Sequence, residues 1–486
     1  MSIDVDIGTK NFDIFVWGET PYHETYIHSN RIRHMTARRT LLRMVTGLSV
    51  LAIFSTTVPA QTYDVLERVK ADRNKAAGCE GPYRFDAAPL TAAPKDYAPF
   101  YISHYGRHGS RYAWNPGTYT VIKNVLDAAA KANSLTPYGK QLYGDYLGFY
   151  EVPSINAGDL SDLGWEQHSE IARIMCQEFP QVFKDGGEIL ARASTSQRAI
   201  VSMNAFTVSL QRFAPKVNVE MNSLHTNMTV TNAASAPRDL QTRYEGRLVP
   251  TESLSDFKAR KIDFDGILDK LFSDRGFLEE IGGRTQFISE LFALWAGYHN
   301  YSDGNWMEDL FTEEQILALW EIENYSCYLD HSGQRYTQIS LLDDIISCAD
   351  EAIATGKYKG HFRFGHDTVF NAICPLLNIN GTGYMPSSSD DVKYWFQNYD
   401  TPMAANLQFV LYKSKKNPEI LFKLLRNGQE VTLPQLNAVS GPYYKWSDFK
   451  DWADNLKKEH PVMRNPAPAS QSPQTPQMPQ GRPAGR

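Results

Sequence analysis

Three times along this chain a short apolar run ends in a polar turn and passes straight into a stretch of helical period. The first runs from Phe100-Tyr101-Ile102-Ser103-His104-Tyr105 through Gly106 to Arg111, with Val121, Val125, Leu126 and Ala129 on one face of the helix after it. The second is 188–193, followed at once by a helix from about Ser196 to Phe213. The third is Gly360-His361-Phe362-Arg363-Phe364-Gly365, with a helix from near Asp367 to about Leu377. Strand, turn and helix in succession predict an α/β sheet. In open α/β sheets ligands bind outside the carboxyl ends of the strands, so the three turns are expected to converge.

Elsewhere the pattern is less demanding. Residues 61–98 are punctuated by Gly and Pro and read as a loop-rich lead-in. A helix is expected over 165–179. From about 215 to 340 strand signals thin out and helical periods dominate, at 265–280, 286–299 and 312–322. This predicts a mostly helical cap, 215–340, inserted into an α/β core of 61–214 and 341–460. A helix near 338–355 leads back. Residues 405–413 and 419–425 predict two antiparallel strands around an Asn417-Pro418 turn, and 446–457 a last amphipathic helix. The Pro/Gln/Ser-rich end, 461–486, is expected to be disordered.

The N-terminal region carries Arg38-Arg39 ahead of an apolar run from Met44 to Phe54, with Val58 and Ala60 suiting cleavage after Ala60. This has the form of a secretory signal over 35–60, and Arg38-Arg39-Thr40-Leu41-Leu42 has some twin-arginine character. Met35 directly precedes the basic patch, which predicts that residues 1–34 are an over-extended start. The expected product is periplasmic or secreted, with no stable membrane insertion once the signal is cut. The five cysteines lie beyond the cleavage and match no metal spacing; buried thiols are the default expectation. A net charge of −6 gives no basic field for nucleic acid.

The turns carry the chemistry. Arg107-His108-Gly109-Ser110-Arg111 crowds two guanidiniums against one imidazole at a strand end, an arrangement that makes sense around an anion. Arg198 opens a helix, whose N-terminus adds partial positive charge. His366-Asp367 begins another. Several cations, a nucleophile and an acid are the parts of phosphoryl transfer. His108 is expected to attack phosphorus. Arg107, Arg111 and Arg198 would hold the equatorial oxygens, with His366 as a further donor. Asp367 would protonate the leaving oxygen and then activate water. The scheme needs no metal or other cofactor, and its partner is a small-molecule phosphate ester. His104 reads as a core or supporting residue and Arg192 as a structural ion-pair partner. Asp159 and Asp162 read as turn residues, and Lys258, Arg260 and Lys261 as a solvated face.

The run Arg107–Arg111 with a distal His366-Asp367 resembles the acid phosphatase and phytase branch of the histidine phosphatase superfamily. Gly158-Asp159-Leu160-Ser161-Asp162-Leu163-Gly164 resembles its G-x-L-t-x-x-G segment, and Arg192 to Arg198, running into Ser202 and Ala205-Phe206, its second arginine motif. Order and spacing are most like bacterial relatives of multiple inositol polyphosphate phosphatase. The likeness covers roughly 97–215 and 360–425. It implies a phosphoglycerate-mutase-like α/β fold, a mixed central sheet flanked by helices with a helical cap, and the site roles given above. It implies a phosphate-monoester hydrolase, with phytate or related inositol phosphates favoured. A broad acid or sugar phosphatase and a non-catalytic phosphate-binding protein are the alternatives. The inositol polyphosphate group typically carries His-Ala-Glu where this chain has His366-Asp367-Thr368; the His-Asp form is that of acid phosphatases, glucose-1-phosphatases and other phytases.

Overall fold

The buried run that starts each strand–turn–helix unit becomes a strand at the centre of one sheet. The computed structural model describes residues 64–244, 249–281 and 283–464; the expected signal, the over-extended start and the tail from 465 onward lie outside them. The strands that place the turns are β1 (Tyr97–Arg107), β2 (Gly187–Ala193), β3 (Val217–Asn222) and β4 (Tyr358–Gly365). Two more, β5 (Asn406–Ser414) and β6 (Leu421–Arg426), complete the main sheet in the order β3-β2-β4-β1-β5-β6, with short strands beyond β6. Strands β1 to β4 run parallel to one another, while β5 runs antiparallel to β1 and β6 antiparallel to β5 as expected.

Alternation along the strands sends side chains to two cores. Tyr101 and Tyr105 of β1 face one core with Phe409 of β5, under helices Ile339–Thr355, Asp367–Leu376 and Trp446–Glu459. Ile102 of β1 and Phe362 and Phe364 of β4 face the other, where Ile171 and Met175 of the helix Asp162–Glu178 meet Phe206 and Leu210 of the helix Gln197–Phe213. The sheet is thus covered on both faces, and the mixed α/β sandwich is as anticipated.

Registers explain why the turns meet. Arg107 of β1 stands opposite Gly365 of β4, and Ala193 of β2 opposite Phe364. The ladder runs one step past each strand: His108 N–H donates to Gly365 O and Ser194 N–H to Phe364 O, both at 2.9 Å. Three polar turns therefore leave the sheet at one level.

A third core is helical, and here the expected boundaries need correction. Its helices come from Glu313–Asp330, Arg284–Gly297 and Asp265–Leu271, but equally from Pro116–Lys131 and Pro137–Ile155, which precede the supposed insert. Tyr119, Leu126 and Tyr146 from the latter pack with Leu268, Leu291 and Trp295 from the former. The supposed insert also opens with β3, a member of the sheet. The helix expected at 265–280 is two: Asp274 Oδ1 accepts from Gly276 N–H at 3.0 Å, a local turn that competes with the helical ladder. Helix Pro137–Ile155 buries mainly Gly139, Leu142, Tyr146 and Pro153, too few apolar positions to mark a period in the sequence. The lead-in also holds helix Val65–Ala71, capped by Asp64, and a 3-10 turn, Gly78–Glu80. Met463 and Arg464, placed in the disordered tail by composition, pair with Arg243 and Thr242. All five cysteines are free thiols, Cys79, Cys176 and Cys374 buried and Cys327 and Cys348 half-buried. Among the described residues no helix is long and apolar enough to cross a membrane.

Candidate active site

The turn after β1 is made by close backbone contact. A Cβ on Gly164 would stand 2.2 Å from Ser110 O, and one on Gly109 would stand 2.5 Å from Gly164 O. Only hydrogen fits at either position. Around this contact Gly109 N–H donates to Ser202 Oγ (3.0 Å), Ser110 N–H to Gln167 Oε1 (2.8 Å) and His168 Nε2 to Arg107 O (3.0 Å). The start of helix Asp162–Glu178 thus fixes the His108 turn. Gly164→Ala should lower urea-unfolding stability by about 1–3 kcal/mol and cut kcat more than tenfold; unchanged kinetics in a destabilised variant would separate the turn from catalysis.

His108 is buried, with Nδ1 2.9 Å from Gly109 O. A carbonyl only accepts, so Nδ1 carries the proton and the lone pair lies on Nε2. Burial, then Arg107, Arg198 and Arg111, hold the imidazole well below its ordinary pKa. It is neutral, the state a nucleophile needs. The His366 ring stands 5.4 Å away, centroid to centroid. Its Nε2 meets Ser194 Oγ at 2.9 Å and Ser196 Oγ at 3.3 Å, and burial with Arg198 lowers its pKa to about 3.

The arginines surround this pair. Arg107 is fully buried; Nη1 donates to the carbonyls of Cys79 and Thr401, and Nη2 to Asp367 Oδ2 at 2.8 Å. Arg111 donates from Nη1 to Tyr112 O (3.0 Å) and from Nη2 to Glu80 Oε1 (2.9 Å). Burial and the Arg111 charge lower Arg198 to about 10. Each of the three keeps a buried Nε without a hydrogen-bond partner. A buried unmet donor costs roughly 1–3 kcal/mol, a cost that an anion accepting from these groups would remove.

Asp367 is the first residue of its helix, where Oδ1 accepts from Thr368 N–H at 2.8 Å. Burial would raise its carboxyl, but Arg107, His331 and Arg111 outweigh that and hold it well below the ordinary carboxylate range.

The structure therefore gathers Arg107, His108, Arg111, Arg198, His366 and Asp367 at one end of the sheet. His104 lies beneath, against Phe206, Phe362 and Phe364, its burial lowering it to about 3. Arg192 forms a two-pronged pair with Asp344, at 3.0 and 2.6 Å, which Arg363 shares. Arg260 is exposed and Lys261 half-buried, and both pair with carboxylates, of Glu252, Glu321 and Asp390. Glu80 had no sequence signal, because it is a lone carboxylate in the lead-in, 27 residues before Arg107 in the numbering. Gln167 and His168 could have been found, since they follow Gly164 on the same helix.

No protein-family model and no curated protein sequence matches the chain. Solved structures do. The apo form of Bifidobacterium longum multiple inositol polyphosphate phosphatase superposes with a TM-score of 0.62 at 17% identity, over 78% of this chain and 97% of that one. The same enzyme in complex with inositol hexasulfate gives 0.60 at 17%, with the same coverage. The D. castellii phytase gives 0.59 at 17%, over 79% of this chain and 86% of that one. The chain has the phytase fold. The phytase fold accounts for the mixed sheet and its helical flanks, and the cluster around His108 lies at the end of that sheet where α/β proteins bind ligands.

Proposed function

We propose that the chain is a metal-independent phosphomonoester hydrolase that works through a phosphohistidine on His108. The observation that carries this is the set of unpartnered Nε groups on Arg107, Arg111 and Arg198 beside a neutral imidazole whose Nε2 holds the lone pair. In the first step a His108 Nε2–P bond forms while the P–O bond to the alcohol breaks, and Asp367 gives its proton to the departing oxygen. In the second, Asp367 takes a proton from water, which attacks phosphorus and frees His108. The arginines hold the charge on the equatorial oxygens throughout.

Asp367 is ion-paired to Arg107, which favours its carboxylate form. A phosphate dianion arriving beside it repels its charge and draws on the Arg107 guanidinium; both effects raise the carboxyl toward its acid form. The bound substrate thus arms its own acid.

We take inositol polyphosphates such as phytate as the favoured substrates. The fold match to an enzyme solved with inositol hexasulfate and with phosphate supports this. The His366-Asp367 pair favours a second reading, a broad acid or sugar phosphatase. Comparing kcat/KM on phytate, glucose-1-phosphate and a nitrophenyl phosphate decides: phytate is expected to lead by about tenfold or more, a gap of roughly 1.4 kcal/mol, and equal values would favour the broad enzyme. We also propose export to the periplasm or beyond, on the signal-like stretch at 35–60.

A further inference from the structure

Glu80 sits inside the cluster, although nothing in the proposed chemistry uses it. Its Oε1 accepts from Arg111 Nη2 at 2.9 Å and lies 3.8 Å from Arg107 Nη2. It is built in from several sides. Its main-chain oxygen accepts from Asn300 Nδ2 at 2.7 Å, and the carbonyl just before it, that of Cys79, accepts from Arg107 Nη1. Opposite Oε2 stands Gly297, where a Cβ would come within 3.3 Å. Arg107 is 0%, Arg111 4% and Glu80 25% exposed, so solvent screens these pairs from the carboxylate side only.

We propose that Glu80 is a resident carboxylate that competes with phosphate for Arg107 and Arg111, and so sets how readily product phosphate leaves. The proposal rests on the phosphate-site reading above. Two neighbouring guanidiniums repel; one carboxylate oxygen facing an Nη2 of each offsets that repulsion. A two-pronged grip takes Nε together with Nη2, so phosphate meets the unpartnered Nε groups and also the Nη2 groups that face Glu80. It must therefore displace Glu80 or lie against its charge, and either weakens binding. Without such a competitor, three arginines would hold the product tightly and its release would limit turnover.

Calorimetric titration with inorganic phosphate tests this on wild type, Glu80→Gln and Glu80→Asp, with product-inhibition constants measured alongside. Glu80→Gln keeps the size and removes the charge, and should bind phosphate at least about tenfold more tightly, the scale of one partly shielded charge at this range. Glu80→Asp withdraws the carboxylate by one methylene and should fall between the two. Should the glutamine variant fail to fold, the aspartate variant decides alone: tighter binding than wild type supports the proposal, and equal or weaker binding overturns it. Equal or weaker binding by Glu80→Gln overturns it likewise, for the carboxylate would then support the arginines without competing. That result leaves the phosphate site standing, whereas a wild type that binds no phosphate would remove the site and the proposal together.

Discussion

Replacing His108 with alanine should lower kcat on every phosphate monoester by about 10⁴-fold or more, the scale seen when a nucleophile that acts as part of a unit is lost. The fold should survive. The imidazole is buried and neutral, and its ring makes one hydrogen bond, to a neighbouring backbone carbonyl, so its removal leaves no buried charge behind. Phosphate should still bind, since Arg107, Arg111 and Arg198 remain. The pH profile of the wild type should carry the same signature. A histidine held well below its ordinary pKa stays unprotonated as pH falls through 6 and 5, so activity should not drop there through loss of the nucleophile. Steady-state kinetics of His108→Ala against nitrophenyl phosphate, with thermal unfolding as a control, checks the first claim.

The second large effect should come from Asp367→Asn, and it should depend on the leaving group. An alkoxide leaves poorly without a proton, so turnover of an alkyl phosphate should fall by about 10²–10⁴-fold. A nitrophenolate leaves without help, and the same variant should lose less than about tenfold on that ester, the difference being the proton's share of the barrier. Equal losses on both would count against Asp367 as the acid. The substitution also removes the carboxylate that faces Arg107 Nη2 at 2.8 Å. A carboxyl depressed in the fold adds stability above its unfolded pKa, near 4, that is lost as pH falls toward the folded value. Asp367→Asn should therefore be less stable than wild type at pH 7, with the gap narrowing as pH falls below about 4.

How much of this was legible in the sequence follows from distance along the chain. Each strand–turn–helix unit is local, and its apolar run, glycine and helical period are contiguous, so β1, β2, β4 and the helices after them were foreseeable. The placing of His108, Arg198 and Asp367 at one end of the sheet was legible too, because each lies in the turn or the first helical residues after its strand. Convergence was an inference from topology, and the registers Arg107–Gly365 and Ala193–Phe364 supply the geometry behind it. What escaped is non-local. Helices 116–131 and 137–155 join those of 265–330 in one core through contacts over a hundred residues apart, which no window along the sequence reveals. Strand β3 has exposed positions interleaved with few buried ones, since it forms the sheet's edge. Glu80 was invisible for the same reason as the helical core: a carboxylate ending a short 3-10 turn becomes meaningful only when the fold sets Arg107 and Arg111 beside it.

The central claim is a covalent bond between His108 and phosphorus, and rapid trapping tests it most directly. Enzyme mixed with a ³²P-labelled monoester, quenched within milliseconds in denaturing alkali and digested, should yield one labelled peptide carrying His108, with label that survives alkali and is lost in mild acid. The same experiment on His108→Ala should give none. Label on any other residue, or turnover by the wild type with no protein-bound phosphate at any quench time, would contradict the account.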